Sequence, residues 1–353
     1  MLKLSFKYRW FDVPGDRSSH KRIVPRTAGI SIFIISFLTL LCVGPSEFNS
    51  PVIIISYLTF FIIGVIDDIK HVKANAKFWG QLIIAISLAT ALPNFRIDNF
   101  YGVLGLYQIG EIPSVIFTSF VFIVVINAYN LIDGVDGLAT TFAIFAFLLI
   151  GSAFQYTQPR IFDFCILFSV ILAPFYFFNF GKSRKMFLGD TGSLFLGMTI
   201  VLLVGYLLNS HNAVSTPFSM NRALLALVAL CYPLLDTLRV FTLRLAKGKS
   251  PFTADRKHLH HKLLGFGLNH FTTTTALLAF NVCIFFINAS YFKNTDVNGV
   301  LIANFIIIAA FLIAGQRVSI WFSGKAKKSS TYSTNNFCFR ITLPSLVRTN
   351  RAT

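Results

Sequence analysis

Asp67 and Asp68 stand side by side in GVIDDIKHVKANAKFWGQL, at the end of an apolar run. Two adjacent carboxylates at a membrane boundary are costly unless a cation or water meets them. A solvated helix end explains such a pair as readily as a cation or phosphate site does. Lys70, Lys73 and Lys77 suit either, as helix-end anchors or as counter-charges for a phosphate. A second segment, NAYNLIDGVDGLA, places Asn127, Asn130, Asp133 and Asp136 at successive i, i+3 steps. On a helix that spacing keeps them on one slowly drifting face. Gly134 and Gly137 let backbone or ligand come close. A helix cap and turn would explain one aspartate, not the whole set.

In KMFLGDTGSLFLG, Asp190 lies between glycines with Ser193 after it, at the start of another apolar run. Gly189 and Gly192 there could expose backbone N–H groups at a helix N-terminus, which favours anions; taken alone, Asp190 reads as an N-cap. In SPFTADRKHLHHKL, His258 and His261 are i, i+3 and are expected to share a helical face, with His260 pointing elsewhere. Asp255, Arg256 and Lys257 precede them. The HLHH block lacks the HExxH arrangement of a zinc hydrolase and its general-base glutamate. Histidines beside Arg and Lys are better suited to phosphates or a sugar than to a metal, or else form a solvated basic loop. Near the start, FDVPGDRSSHKRIVPRTAGI sets Arg17, His20, Arg22 and Arg26 near Asp12 and Pro14. Basic juxtamembrane segments commonly anchor to lipid headgroups.

The elements that must hold these residues are set by composition. Of 353 residues, 55% are hydrophobic, 40 are Phe and only 13% are charged, with a mean hydropathy of +0.68. That excludes a water-soluble globular protein, and the expected fold class is an all-α polytopic integral membrane protein. Runs near the ~20 residues a bilayer crossing needs occur at about 28–45, 51–66, 78–93, 112–132, 137–155, 160–180, 192–209, 222–242, 272–291 and 298–315, which predicts about ten transmembrane helices. The first 22 residues lack the apolar core of a cleavable signal peptide, so the first apolar helix is expected to direct insertion. No CxxC pair exists among the five cysteines, and neither a disulfide framework nor a thiolate metal site is expected. One integral membrane domain is expected over 1–323, with a cytoplasmic, disordered tail over 324–353.

The chain carries 31 Lys and Arg against 14 Asp and Glu, a net charge of +17. With the N-terminus inside, 27 of the basic residues fall on inner segments, leaving Arg96, Arg160, Arg222 and Lys293 outside. The positive-inside rule then puts both termini in the cytoplasm, and the excess needs no nucleic-acid partner. Nine acids share that inner face: Asp12, Asp16, Asp67, Asp68, Asp133, Asp136, Asp190, Asp236 and Asp255. Loop topology does not require this, and a polar site on the cytoplasmic face is expected. Carboxylates, asparagines, glycines at helix starts and a basic histidine loop on one face suit a Mg²⁺-bound diphosphate substrate meeting a phosphate at the membrane surface. A proton-coupled transporter or flippase using Asp67, Asp136 and Asp236 would instead place polar groups near mid-span within repeated halves. The chain shows no internal repeat.

The blocks DVPGDRSSHKRIVPR, GVIDDIKHVKANAK, NAYNLIDGVDGLA, FLGDTGS and SPFTADRKHLHHKL occur in the same order as in the polyprenyl-phosphate N-acetylhexosamine-1-phosphate transferases, glycosyltransferase family 4. The chain resembles that family over about residues 12–264. The resemblance implies transfer of a sugar 1-phosphate from a UDP-sugar to undecaprenyl phosphate, with release of UMP, in the bacterial inner membrane. It implies Asp67 and Asp68 at the lipid phosphate, with Asp67 as proton acceptor or phosphate-positioning group, and Asp190 as the Mg²⁺ ligand, Mn²⁺ being a possible substitute. It also implies that Asn130, Asp133 and Asp136 hold the nucleotide and help organise the metal site. His258, His260 and His261 with Arg256 resemble the loop that binds the diphosphate and sugar. HLHH after SPF-x-x-DR is similar to the N-acetylglucosamine branch, which starts O-antigen (lipopolysaccharide), enterobacterial common antigen or teichoic acid linkage units; another N-acetylated aminosugar is the alternative. A homodimer is a family expectation. The family pattern usually has a further span before the DxPxxR block, where eleven residues precede Asp12 here, and its glycine pair after Pro25-Arg26 is replaced by Ala28-Gly29.

Overall fold

The computed structural model describes Ser5 and residues 10–12, 23–70, 72–181, 184–248, 258–291 and 296–311. Two compact units divide the chain, Met1–Asn304 and Phe305–Thr353. Of the second, residues 305–311 are described and helical; the tail expected at 324–353 lies outside the described residues.

All ten apolar runs are helical over most of their described length. In chain order the helices are α1 (Ala28–Val43), α2 (Pro51–Lys70), α3 (Ala74–Ala91), α4 (Glu111–Ile132), α5 (Leu138–Ser152), α6 (Pro159–Leu172), α7 (Phe175–Asn179), α8 (Gly189–Leu208), α9 (Arg222–Ala229), α10 (Cys231–Leu245), α11 (Leu259–Gly265) and α12 (His270–Tyr291). Five stretches are long and apolar enough to cross a membrane alone: Pro51–Lys70, Glu111–Ile132, Pro159–Asn179, Gly189–Leu208 and His270–Ser290. α9 and α10 would make a sixth but meet at a 70° bend. Pro233 in the first turn of α10 has no N–H to give to Ala229, which accounts for the break. α1, α5 and a further helix, Val297–Phe311, are apolar but shorter. The ten expected crossings therefore appear as helical stretches, of which five or six qualify as spans among the described residues. Strand pairing among the described residues is limited to Phe11–Asp12 with Val24–Pro25 and one isolated antiparallel bridge, Asn99 with Gln108.

The organising element is α8. Every one of its residues except Asp190 is buried, and α1, α2, α4 and α5 all pack against it. Around it Phe33, Tyr57 and Phe195 form an aromatic cluster, and the Tyr57 hydroxyl donates to Thr199 Oγ1 at 3.0 Å. The outward faces are apolar instead, with Ile55, Ile62, Ile83, Ile112, Ile116 and Phe120 exposed, as lipid-facing helices require. Several polar side chains in these helices bond locally: Ser56, Thr59 and Ser87 each donate to the carbonyl four residues back.

This arrangement sets the site at one end of the bundle. The last turn of α2, the last turns of α4 and the first turn of α8 meet there, because α2 and α4 both run antiparallel to α8 and end where it begins. Contact between α2 and α8 is backbone to backbone: a Cβ on Gly64 would lie 2.5 Å from Thr191 Cα, so only glycine lets α2 approach this closely.

Candidate active site

Asp68 closes the start of α8. Its Oδ1 accepts the Asp190 backbone N–H at 2.8 Å, and its Oδ2 accepts the Thr191 N–H at 3.0 Å and the Thr191 hydroxyl at 2.6 Å. The helix N-terminus does bind an anion, as the Gly189–Gly192 pattern led one to expect, but that anion is the Asp68 carboxylate. Gly189 makes the turn at φ +74°, and a Cβ there would lie 2.7 Å from Asp68 Oδ1. Asp190 is thereby a residue inside the first turn, not an N-cap, and its side chain is free to face the site.

Lys77, in the first turn of α3, joins the acids of two other helices. Its Nζ donates to Asp67 Oδ2 and to Asp190 Oδ1, each at 2.6 Å, with its own side chain 13% exposed. Asp67 Oδ1 also accepts the Val72 N–H at 2.6 Å. Asn130 Nδ2 donates to Asp190 Oδ1 at 2.5 Å and to Ser193 Oγ at 3.0 Å. Asp67, Lys77, Asp190 and Asn130 form one hydrogen-bonded cluster drawn from α2, α3, α8 and α4. Of the three lysines near the DD pair, the sequence does not distinguish Lys77; its helix position and the fold do.

α4 ends at Ile132 and Asp133 is its C-cap, so the expected polar face from 127 to 136 stops at Asn130. Asn127 turns away and donates to Gln81 Oε1 at 2.8 Å. Asp133 is half-buried and accepts no hydrogen bond among the described residues. Burial, and then the charges of Asp190 and Asp68, push its carboxyl well above the ordinary value, with Arg26 opposing. Asp136 is set apart from this cluster. Its Oδ2 lies 2.5 Å from Lys185 Nζ and 3.1 Å from His270 Nδ1. Burial opposes its ionisation, but these two partners outweigh burial and hold it below the usual carboxylate range. His270 and Lys185 were not legible as partners, since 134 and 49 residues separate them from Asp136.

The histidines are arranged differently from the expectation. His258 is the N-cap of α11, outside the helix, so the i, i+3 pairing of His258 with His261 does not form. Instead His258 and His260 lie parallel, with ring centroids 5.3 Å apart and planes 13° apart, while His261 is tilted by 57° to His260. Both parallel rings turn Nδ1 toward Asp236 Oδ2, at 2.9 and 3.4 Å. His260 Nδ1 also meets the Tyr232 hydroxyl at 3.0 Å. Burial lowers the basicity of His260, with Asp236 pulling the other way. Gly134 connects the two halves of the site: a Cβ there would lie 3.5 Å from His260 Nε2 and 3.6 Å from His261 Nε2. Arg17, His20, Arg22, Asp255 and Arg256 lie outside the described residues.

Among the described residues no three His, Cys, Asp or Glu gather closely enough to hold a metal unaided. Asp133 and Asp190 nonetheless fit a hard divalent cation. They offer oxygen donors only, Asp133 has its lone pairs unused, and Mg²⁺ takes few protein carboxylates when phosphate oxygens and water complete its shell. A cluster of acids, one ammonium and a histidine face can neutralise and orient phosphates.

Comparison with known proteins agrees with this chemistry. Residues 50–207 match Glycosyl transferase family 4. The chain is 31% identical over 311 residues to a probable undecaprenyl-phosphate N-acetylglucosaminyl 1-phosphate transferase of Bacillus subtilis (strain 168), covering 87% of this chain and 84% of that protein. It is 26% identical to the undecaprenyl-phosphate alpha-N-acetylglucosaminyl 1-phosphate transferases of Escherichia coli (strain K12) and Yersinia pestis, in each case over 78% of this chain and 77% of the relative. The matched residues 50–207 take in the carboxylate cluster at the head of α8, and on this match and a relative of 31% identity over most of both chains the chain belongs to glycosyl transferase family 4.

Proposed function

We propose that this protein transfers a sugar 1-phosphate, N-acetylglucosamine 1-phosphate in the first instance, from a UDP-sugar to undecaprenyl phosphate, releasing UMP. The observation that carries the reading is the Asp67–Lys77–Asp190–Asn130 cluster, whose charge Asp133 feels, in a chain whose relatives are named for this reaction. An oxygen of the lipid phosphate bonds to the phosphorus that carries the sugar. The bond from that phosphorus to the bridging oxygen breaks, and the oxygen leaves on UMP. Bound at Asp190 and Asp133, Mg²⁺, or Mn²⁺ in its place, supplies charge neutralisation of the diphosphate.

The protein's own residues supply placement. Asp67 positions the acceptor phosphate and takes its proton where one remains, the second ionisation of such a phosphate lying near about 6. Asp68 holds the head of α8, so that Asp190 keeps its place. Lys77 holds Asp67 and Asp190 together and offsets the local negative charge. Asp136 with Asn130 belongs to the nucleotide side, and Arg256, His258, His260 and His261 to the diphosphate and sugar. The site faces the cytoplasm of a bacterial inner membrane, the side to which 27 of the 31 basic residues fall. The protein works as a homodimer, residues 1–323 act as one domain, and the product starts a lipid-linked envelope polysaccharide.

Purified protein incubated with Mg²⁺, undecaprenyl phosphate and labelled UDP-N-acetylglucosamine yields a chloroform-soluble product and UMP. Release of UDP instead would sink the mechanism, and a panel of UDP-sugars in the same assay identifies the aminosugar. Chelation by EDTA is expected to stop turnover and added Mg²⁺ to restore it. Turnover that persists in EDTA removes the cation from the mechanism.

A further inference from the structure

Asp236 is the most completely buried acid at this end of the molecule, with 1% of its side chain exposed. Apart from Arg239 on its own helix, its polar contacts among the described residues look toward the histidine block. Oδ1 accepts the Leu259 N–H at 2.8 Å and Arg239 Nη2 at 3.0 Å. Oδ2 faces both parallel imidazoles. A buried carboxylate with a single counter-ion is a weak stabilising device, and a hydrophobic residue of similar volume often does as well. A carboxylate that receives the N–H of an imidazole, by contrast, fixes which nitrogen is presented to a ligand and how the ring is turned.

The geometry has a direction. A carboxylate only accepts, so His258 Nδ1 carries the proton of the 2.9 Å bond. Its Nε2 lies across the ring from Asp236. His260 is parallel to it and is anchored at Nδ1 by the Asp236–Tyr232 pair, so its Nε2 lies on the same far side. That atom is fully buried and has no hydrogen-bond partner among the described residues, and it sits against Gly134, an exposed residue next to Asp133. A buried ring nitrogen without a partner is destabilising until something polar meets it.

We propose that Asp236 is a positioning residue for the donor: by holding the Nδ1 edges of His258 and His260, with Tyr232 as second anchor, it turns their Nε2 atoms toward the diphosphate of the nucleotide-sugar. This rests on the reading that the histidine loop binds the UDP-sugar. Asp236 does not touch the donor, and its effect passes through the two rings.

The test compares full-length wild type, Asp236→Asn, Tyr232→Phe, His260→Gln and the double variant Asp236→Asn/His260→Gln in the transferase assay, with the KM values for UDP-N-acetylglucosamine and undecaprenyl phosphate measured separately. Asp236→Asn is expected to raise the donor KM about 10-fold or more, with the acceptor KM unchanged. Tyr232→Phe is expected to raise the donor KM several-fold. The double variant is expected to lose less than the product of the two single losses, because both changes act on one ring. An Asp236→Asn protein with wild-type donor KM overturns the proposal. So does one whose two KM values rise together, or whose loss multiplies in full with that of His260→Gln, since either result marks a merely structural acid. If Asp236→Asn fails to fold, Tyr232→Phe decides alone, and an unchanged donor KM in it overturns the proposal. Wild type that turns over no UDP-sugar at all is a failure of the preceding reading, and it is distinguishable because it precedes any comparison of variants.

Discussion

Lys77 meets two carboxylates from different helices with one ammonium. Its replacement by Met would leave Asp67 and Asp190 facing each other without a counter-charge. Removing one partner of a buried pair costs on the order of 3 kcal/mol, here toward the low end because Asp190 keeps 21% of its side chain exposed. Lys77→Met is expected to lower the unfolding midpoint in detergent and to cut turnover by about 100-fold or more. Added Mg²⁺ is expected to raise that midpoint more in the variant than in wild type, as thermal unfolding with and without the ion would show. His260 gives a pH effect of definite sign. Its folded-state affinity for a proton is below the ordinary histidine value. Below about pH 6.5 the unfolded chain therefore binds a proton that the folded chain resists, and stability falls as pH falls. His260→Gln is expected to flatten that fall between about pH 7.5 and pH 5.5 in the same measurement. An equally steep fall in the variant would assign it to another group.

At the level of elements, the chemistry depends on how closely α2 lies against α8. Gly64 faces Thr191 backbone, which cannot step aside as a side chain can. Gly64→Ala is expected to push the helices apart, carrying Asp67 and Asp68 with α2, at a cost of about 1–3 kcal/mol. Loss of activity should accompany the lower unfolding midpoint. Leu58→Ala on the same helix, at a position 41% exposed, is expected to leave both nearly unchanged. The broken pair α9 and α10 has a parallel use. Bending at 70° ahead of Pro233 brings Tyr232 and Asp236, in the first turns of α10, to the histidine block. A straight span would give these residues a different aim.

Within Met1–Asn304 the described residues are inside-out relative to a soluble protein: the central helix is buried nearly end to end, outer faces are apolar, and the carboxylate cluster gathers at helix ends. The orientation proposed from the charge asymmetry is testable by fusion. A fluorescent protein joined after Thr353 is expected to fluoresce and alkaline phosphatase at the same place to be inactive. The opposite pair of results would put the acidic end outside, where a UDP-sugar from the cytoplasm does not reach it.

Helical class, the membrane environment and the family were legible in the sequence because each rests on local information: apolar run length, charge sign, and five motif blocks in order. Asp67, Asn130, Asp133 and Asp190 were legible for the same reason. The number of spans was less so, because a run can be apolar and still be short, as in α1 and α5, or broken, as in α9 and α10. What the acids touch was not legible at all. Asp68 and the head of α8 are separated by 122 residues, Lys77 and Asp190 by 113, and Asp236 and His258 by 22. The sequence by itself determined which side chains are polar in an apolar chain, since that is a property of composition and order. Only the tertiary structure decided that Asp68 caps a helix, that Lys77 joins two acids and that Asp236 turns two histidines, because directed hydrogen bonds are fixed by where helix ends meet in space.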